Sequence, residues 1–386
     1  KIIVAACMAA VLLLTALAGC SSGSSSSTAA SDASSSTSAP ADNDKKVLTI
    51  AQGGDITTFD MQNHNNGVTG AVLCNFSHGL VERADEDNAW VCVLAKSYEM
   101  IDDSTWEFKL RDDVTWHNGD PFTAADVKYT YERAATDESL AENHIFKVIK
   151  EVQIIDDYTV RFATDGPYPT LLSLLSKNGS QVMPSKYIEE NGLDYYLEHP
   201  IGCGPYQFKE WVKDNVVVLE RYDDYFGGTP YWDEVRFRAI PEASTRVAEL
   251  LTGNVDIIVN VPTNEWDRIN TEENTEMVLG NGTRIYNVIM KWNTSPTQNK
   301  QVREAVAYAI DAQTIIDTVL KGAGTPCYTR IAPGVFGQDK SLYNINKYDP
   351  DKAKELIASS GYNGEEIELL VPSGRYLMDS EVGKVV

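Results

Sequence analysis

The chain is 386 residues long and carries 33 Lys and Arg against 56 Asp and Glu, a formal net charge of −23. That surplus of negative charge argues against a nucleic-acid binder or an anionic-membrane binder. From Lys46 onward about 340 residues remain, enough for two or more lobes with real cores.

An apolar run over residues 2–16 leads to Leu17-Ala18-Gly19-Cys20. A hydrophobic stretch, small residues at a cut and a cysteine behind them resemble a bacterial lipoprotein signal, in which Cys20 becomes the lipid-bearing N-terminus. A transmembrane helix is the alternative, but spanning takes about 18 or more apolar residues. Here the run breaks at Gly19-Cys20 and no stop-transfer charges follow. Residues 1–19 are therefore read as signal peptide, and the rest as lying on the outer face of the cytoplasmic membrane, held by the lipid at Cys20. Residues 20–44 are mostly Ser, Ala, Thr and Gly. They bury too little apolar surface to offset their ordering entropy, so they read as a flexible tether. The chain opens on Lys1 rather than Met and shows no stop signal over residues 375–386, so both ends are expected to be those of a fragment.

In the body, residues 47–51 and 105–110 read as strands. Thr123-Ala-Ala-Asp126 resembles a capping box, and Val127, Tyr131 and Ala134 share one face of the helix behind it. Residues 152–155 and 158–163 flank Asp156-Asp157, a strand–turn–strand signal. Strands are then expected at 216–220, 234–240 and 255–259, with a helix at 244–251 stopped by Gly253. Strand–helix–strand order favours an α/β sheet. Residues 300–310 give the cleanest helix, with Val302, Ala305, Val306, Ala309 and Ile310 on one stripe. Asp311 caps a second helix running to Leu320 and ended by Gly322. A third is framed by Asp349, Pro350 and Gly361. Residues 367–371 return as a strand, and a last helix starts at Leu377.

Six cysteines are present; beyond Cys7 and Cys20 they are Cys74, Cys92, Cys203 and Cys327, spaced 18, 111 and 124 residues apart. No short paired spacing suggests a zinc site. An oxidising exterior permits a disulfide, for which Cys74 and Cys92 are the best pair, but unpaired buried thiols are the expectation.

Several blocks together carry a resemblance. Trp106-Glu-Phe-Lys-Leu-Arg111-Asp-Asp-Val-Thr-Trp116-His117-Asn-Gly119-Asp120-Pro-Phe-Thr-Ala-Ala-Asp126-Val127 closely resembles a signature of the peptide-type (peptide/nickel) extracellular solute-binding proteins of bacterial ABC importers. Gly202-Cys203-Gly204-Pro205-Tyr206 is similar to that family's Gly-Thr-Gly-Pro-Tyr, with cysteine in place of threonine. Tyr225-Phe-Gly-Gly-Thr-Pro-Tyr-Trp232-Asp233, Val302-Arg303-Glu304-Ala305 and Ala353-Lys354-Glu355-Leu356 match in order. The resemblance implies an α/β, periplasmic-binding-protein-like fold of two lobes joined by a hinge, with an extra domain inserted. Lobe I would comprise residues 45–89 and 201–292, the insertion 90–200 and lobe II 293–386. Family members run past residue 386, so lobe II would be incomplete.

The implied function is capture of short peptides between closing lobes and delivery to an ABC permease with its ATPase subunits. The chain would work as a monomer without a cofactor. Arg375-Tyr376 follows the 367–371 strand and matches an arginine–tyrosine pair that helps hold a ligand carboxylate in dipeptide-binding relatives, a task suited to a guanidinium's forked donors. Gly53-Gly54 lets backbone approach a ligand, and Thr57, Thr58 and Phe59 correspond to a segment lining lobe I's side of the cleft. The acidic anchor for the peptide ammonium would lie beyond Val386. No metal ligands and no catalytic residues are assigned. His117, near Asp120, reads as part of a turn rather than a general base, and Cys203 as packing rather than a nucleophile. A nickel or metal-chelate receptor of the same family is the runner-up, and a secreted hydrolase without a recognisable motif comes third.

Overall fold

The computed structural model describes residues 45–84, 89–280, 282–335, 337–372 and 376–386. The signal segment, Cys20, the tether and Arg375 lie outside the described residues. In chain order the described strands are β1 (Val47–Gln52), β2 (Val81–Arg83), β3 (Trp90–Cys92), β4 (Ala95–Asp102), β5 (Thr105–Leu110), β6 (Ile149–Asp156), β7 (Thr159–Thr164), β8 (Tyr206–Val212), β9 (Val216–Arg221), β10 (Glu234–Ala239) and β11 (Ile257–Ile258).

A five-stranded sheet has the order β11-β1-β10-β9-β8. β1 pairs in parallel with β10, Val47 opposite Glu234 and Gln52 opposite Ala239, and in parallel with β11. β9 and β8 continue it antiparallel. Alternation along β1 turns Leu48 and Ile50 toward a core built of Phe59, Phe76, Val217, Leu219, Val235 and Phe237. The helices Ser185–Asn191 and Leu193–Glu198 supply Ile188 and Tyr196 to the same core.

A four-stranded antiparallel sheet, β4-β5-β7-β6, is built from two hairpins. Each turn carries an aspartate that folds back on the chain: Asp102 Oδ1 accepts from the Ser104 N–H at 2.9 Å, and Asp156 Oδ1 from the Tyr158 N–H at 2.9 Å. The helix Ala124–Thr136 covers this sheet with the expected Val127, Tyr131 and Ala134, all buried. Its capping box forms, the Thr123 N–H donating to Asp126 Oδ2 at 2.8 Å. A third, smaller cluster joins Val247, Val261, Trp266 and Ile269.

Beyond residue 293 the caps expected at Asp311 and Asp349 form, and Asn299 adds one that the sequence reading did not name. The Asn299, Asp311 and Asp349 side chains accept first-turn amides of the helices Lys300–Ala309, Ala312–Thr318 and Pro350–Ser360, and Gly361 closes the last of these in the left-handed region at φ 75°. Two expectations differ. Residues 367–371 do not form a strand; Leu369 and Leu370 are exposed, and among the described residues nothing pairs beside them. A strand exists only through its ladder, which local propensity cannot supply. The final helix starts at Asp379, after Met378 enters the left-handed region at φ 54°. Cys74, Cys92, Cys203 and Cys327 are free thiols; of these Cys203 is buried as expected, while Cys92 and Cys327 are half-buried and Cys74 is exposed. Among the described residues no helix is long and apolar enough to cross a membrane.

Candidate ligand site at the strand ends

Because β1, β10 and β11 are parallel, their carboxyl ends share one edge, where open α/β sheets bind ligands. β1 leaves through Gly53 and Gly54. A Cβ on Gly53 would lie 3.5 Å from Arg246 Nη1, while one on Gly54 would meet nothing within 4 Å. Asp55 fastens the turn from behind. Its Oδ1 accepts the Ile56 N–H at 2.8 Å, and its Oδ2 accepts the Trp211 Nε1–H at 2.9 Å and the Asp214 N–H at 2.8 Å.

The three expected cleft residues part company here. Thr57 is exposed; its N–H donates to Thr69 Oγ1 at 3.0 Å, and Thr69 is itself in the first turn of the helix Gly67–Phe76. Thr58 is half-buried and its Oγ1 accepts the Asp60 N–H at 2.9 Å. Phe59 is wholly enclosed, with ring centroids 5.3 Å from Phe76, 5.1 Å from Phe208 and 5.9 Å from Trp211. Its side chain is therefore a core anchor and offers no surface to a ligand. That corrects its assignment as a cleft residue, because burying a phenylalanine is worth about 2 kcal/mol and outweighs what an exposed ring could contribute. Next to it the buried Asp60 carboxylate pairs both oxygens with Arg133, at 2.8 and 2.6 Å, and Arg133 Nη1 also donates to Gln62 Oε1 at 3.0 Å.

Tyr376 lies under the Arg284 guanidinium, 4.5 Å from its ring centroid, and its N–H donates to Asp379 Oδ2 at 2.9 Å. The following Leu377 packs on the cluster containing Val247, and its carbonyl accepts from the Tyr286 hydroxyl. Tyr376 is thus tied to the neighbourhood of the helix Ala243–Leu251, the element that also carries Arg246. Arg375 lies outside the described residues.

Arg246 itself was missed by the sequence reading. It is 4% exposed, and Nη1 donates to the carbonyls of Ile240 at 2.7 Å and Pro241 at 2.9 Å, Nη2 to that of Asn260 at 3.4 Å. Nε has no partner among the described residues. Burial lowers its pKa, with Glu242 acting the other way. The available signal was positional: an arginine on the same helical side as Val247 and Leu250, just past a strand end.

The residues rejected as catalytic are structural. His117 Nδ1 accepts the Gly202 N–H at 3.0 Å, and Nε2–H donates to the Gly204 carbonyl at 3.0 Å. Burial pulls its pKa down to about 4, so the ring is a neutral strap between two loops. Asp120 pairs with Lys186 at 2.8 Å instead. Cys203 is buried with its thiol pushed up to about 11, far from a nucleophile's range.

A mixed sheet whose three parallel strands end on one edge, together with a helix-covered antiparallel sheet, is the architecture of a periplasmic-binding-protein fold. The family is equally clear: the profile of the bacterial extracellular solute-binding proteins, family 5 (middle part), matches residues 90–386, and the chain belongs to that family. The chain is 30% identical over 320 residues to the glutathione-binding protein GsiB of Salmonella paratyphi A, covering 82% of this chain and 62% of that protein. It therefore spans less than two thirds of that relative's length. Among solved structures it is similar to the binding protein AgaA of A. tumefaciens R10 in complex with agropinic acid, at TM-score 0.77 and 28% identity over 87% of this chain and 69% of that one. It is also similar to DppA of Helicobacter pylori in complex with the peptide STSA, at TM-score 0.70 and 25% identity over 82% and 66%. These relatives are solute-binding proteins and not enzymes.

Proposed function

We propose that the chain is the lipid-anchored substrate-binding protein of an ABC importer, attached through Cys20, which captures short peptides between two closing lobes and delivers them to a permease and its ATPase subunits. In this reading residues 45–89 and 201–292 form lobe I, 90–200 its insertion and 293–386 part of lobe II. The observation that carries it is the shared carboxyl edge of three parallel strands, in a chain whose relatives include a glutathione-binding protein and one that holds a peptide. Closure draws its free energy from contacts that form only when both lobes meet the ligand. Thr57 and Thr58 serve as lobe I contacts, and Arg375 and Tyr376 as the partner that meets a ligand carboxylate. A second reading, a receptor for another small solute, is favoured by the likeness to AgaA with agropinic acid.

A thermal-shift panel of free and amidated di- to octapeptides, glutathione, nickel–histidine and small organic acids tests the choice. At a hundredfold excess over Kd a ligand adds about 2.7 kcal/mol, a rise of roughly 4 °C for a body this size. A rise with peptides alone supports the peptide receptor. A rise confined to nickel–histidine or to organic acids replaces it. Retention of a Cys20→Ala chain in the membrane fraction would remove the lipid anchor.

A further inference from the structure

A guanidinium has five N–H donors. At Arg246 the two on Nη1 are taken by the carbonyls of Ile240 and Pro241, at 2.7 and 2.9 Å. Along the other edge, Nε has no partner among the described residues and Nη2 makes one long contact of 3.4 Å to the Asn260 carbonyl. The Nε/Nη2 edge is the one that a carboxylate meets with both oxygens. Among the described residues no carboxylate forms an ion pair with Arg246, whereas the buried guanidinium of Arg133 has Asp60.

The surroundings favour an anion independently. The helix Ala243–Leu251 begins without a side-chain cap and has no acidic residue in its first turn, so its leading amides and the positive end of its dipole are open to a ligand. Glu242, at the cap position, is exposed, and its Oε1 accepts from Ser244 Oγ at 3.3 Å. Gly53 brings backbone alongside the Nη1 side of the guanidinium, and a Cβ on the next residue, Gly54, would meet nothing within 4 Å, so side chains do not crowd the chain there. The buried cation, the uncapped helix and the glycine pair meet at the carboxyl ends of β1, β10 and β11.

From this geometry we infer that Arg246 and the first turn of the helix Ala243–Leu251 form an anion subsite that takes a carboxylate of the bound solute, so that acidic solutes are preferred. The inference rests on the reading of the strand ends as the ligand crevice and adds the class of ligand. The source of the carboxylate is either an acidic peptide side chain or a free di-acid.

Calorimetry on the full chain with Ala-Glu-Ala, Ala-Gln-Ala and glutarate separates these. The Glu peptide is expected to bind roughly tenfold or more tighter than its Gln counterpart, the worth of one charge-assisted pair. Arg246→Gln should erase that preference, and Arg246→Lys, which keeps the charge without the fork, should leave no more than about twofold. Should the variants fail to fold, the wild-type Arg246 Nε–H resonance decides: it should move with Ala-Glu-Ala and stay with Ala-Gln-Ala. Equal affinities in the wild type, a preference surviving both substitutions, or an unmoved resonance would each overturn the subsite. If neither peptide binds, the peptide reading fails and glutarate decides. Glutarate binding lost in Arg246→Lys upholds the subsite from a free di-acid, and no glutarate binding refutes it.

Discussion

His117 makes a quantitative forecast about acid stability. Its ring joins two loops through one accepted and one donated hydrogen bond, a pattern only the neutral imidazole can make. Burial lowers its pKa from 6.5 to about 4. Each factor of ten in that preference is worth about 1.4 kcal/mol, so stability worth about 3 kcal/mol that is present at neutral pH is lost through His117 by about pH 4. The sign follows from which state binds the proton first. Below pH 6.5 the unfolded imidazole protonates while the folded one does not, so the contribution is complete above that pH and drains away as pH falls toward 4. Urea unfolding of the wild type and of His117→Asn, in half-unit steps from pH 8 to pH 4.5, measures it. Asn can approximate both hydrogen bonds but does not titrate. His64, also buried with a lowered pKa, contributes the same slope to both proteins and cancels in the difference. The wild-type advantage should shrink by about 1.4 kcal/mol per pH unit below 6. A difference independent of pH across that window would refute the strap.

Three further outcomes are expected. A Cβ on Gly202 would sit 2.0 Å from the Phe76 carbonyl oxygen, so Gly202→Ala should lose about 3 kcal/mol or more in chemical denaturation, while Gly54→Ala, facing open space, should stay within about 0.5 kcal/mol. Asp60→Asn strands the buried Arg133 guanidinium and should cost roughly 3–5 kcal/mol, read from the shift of the guanidinium-chloride midpoint; a loss under about 1 kcal/mol would show that Gln62 suffices. Arg375→Ala should weaken peptides with a free C-terminal carboxylate by roughly tenfold and amidated ones less; equal losses by calorimetry would take the carboxylate from Arg375.

Local signals translated well where a single residue type enforces a local geometry. Asp311 and Asp349 cap the helices they were expected to cap, because a short carboxylate has few better options than the amides of the next turn, and Asp126 closes the expected capping box by reaching back to the Thr123 N–H. Gly361 ends its helix in a conformation that penalises any Cβ. Signals that need a distant partner did not translate. Residues 367–371 have strand composition without a strand beside them, and the stripe on the helix Lys300–Ala309 is buried only at Val302 and Ala305. The blocks named by resemblance folded into loop-to-loop contacts that no spacing reveals, such as His117 against Gly202 and Gly204.

The misassignment of Phe59 and the omission of Arg246 have one physical origin. A binding platform needs residues that face the ligand and others that keep them from moving, and both kinds sit close together in sequence. Between Asp55 and Asp60 the chain commits Ile56, Phe59 and Asp60 to the interior, ties the half-buried Asp55 to Trp211 and leaves Thr57 outside. In the proposed reading, that arrangement orders the turn before a ligand arrives, so that less entropy would be lost on binding. Arg246 lies behind such a platform in sequence distance, yet it occupies the same strand ends. Its buried cation costs free energy to hold among carbonyls alone, and that cost is lowered if an anion completes the site. The polar groups that stability alone does not explain are therefore the place to look for the ligand, and the conspicuous aromatic is the place to look for the fold.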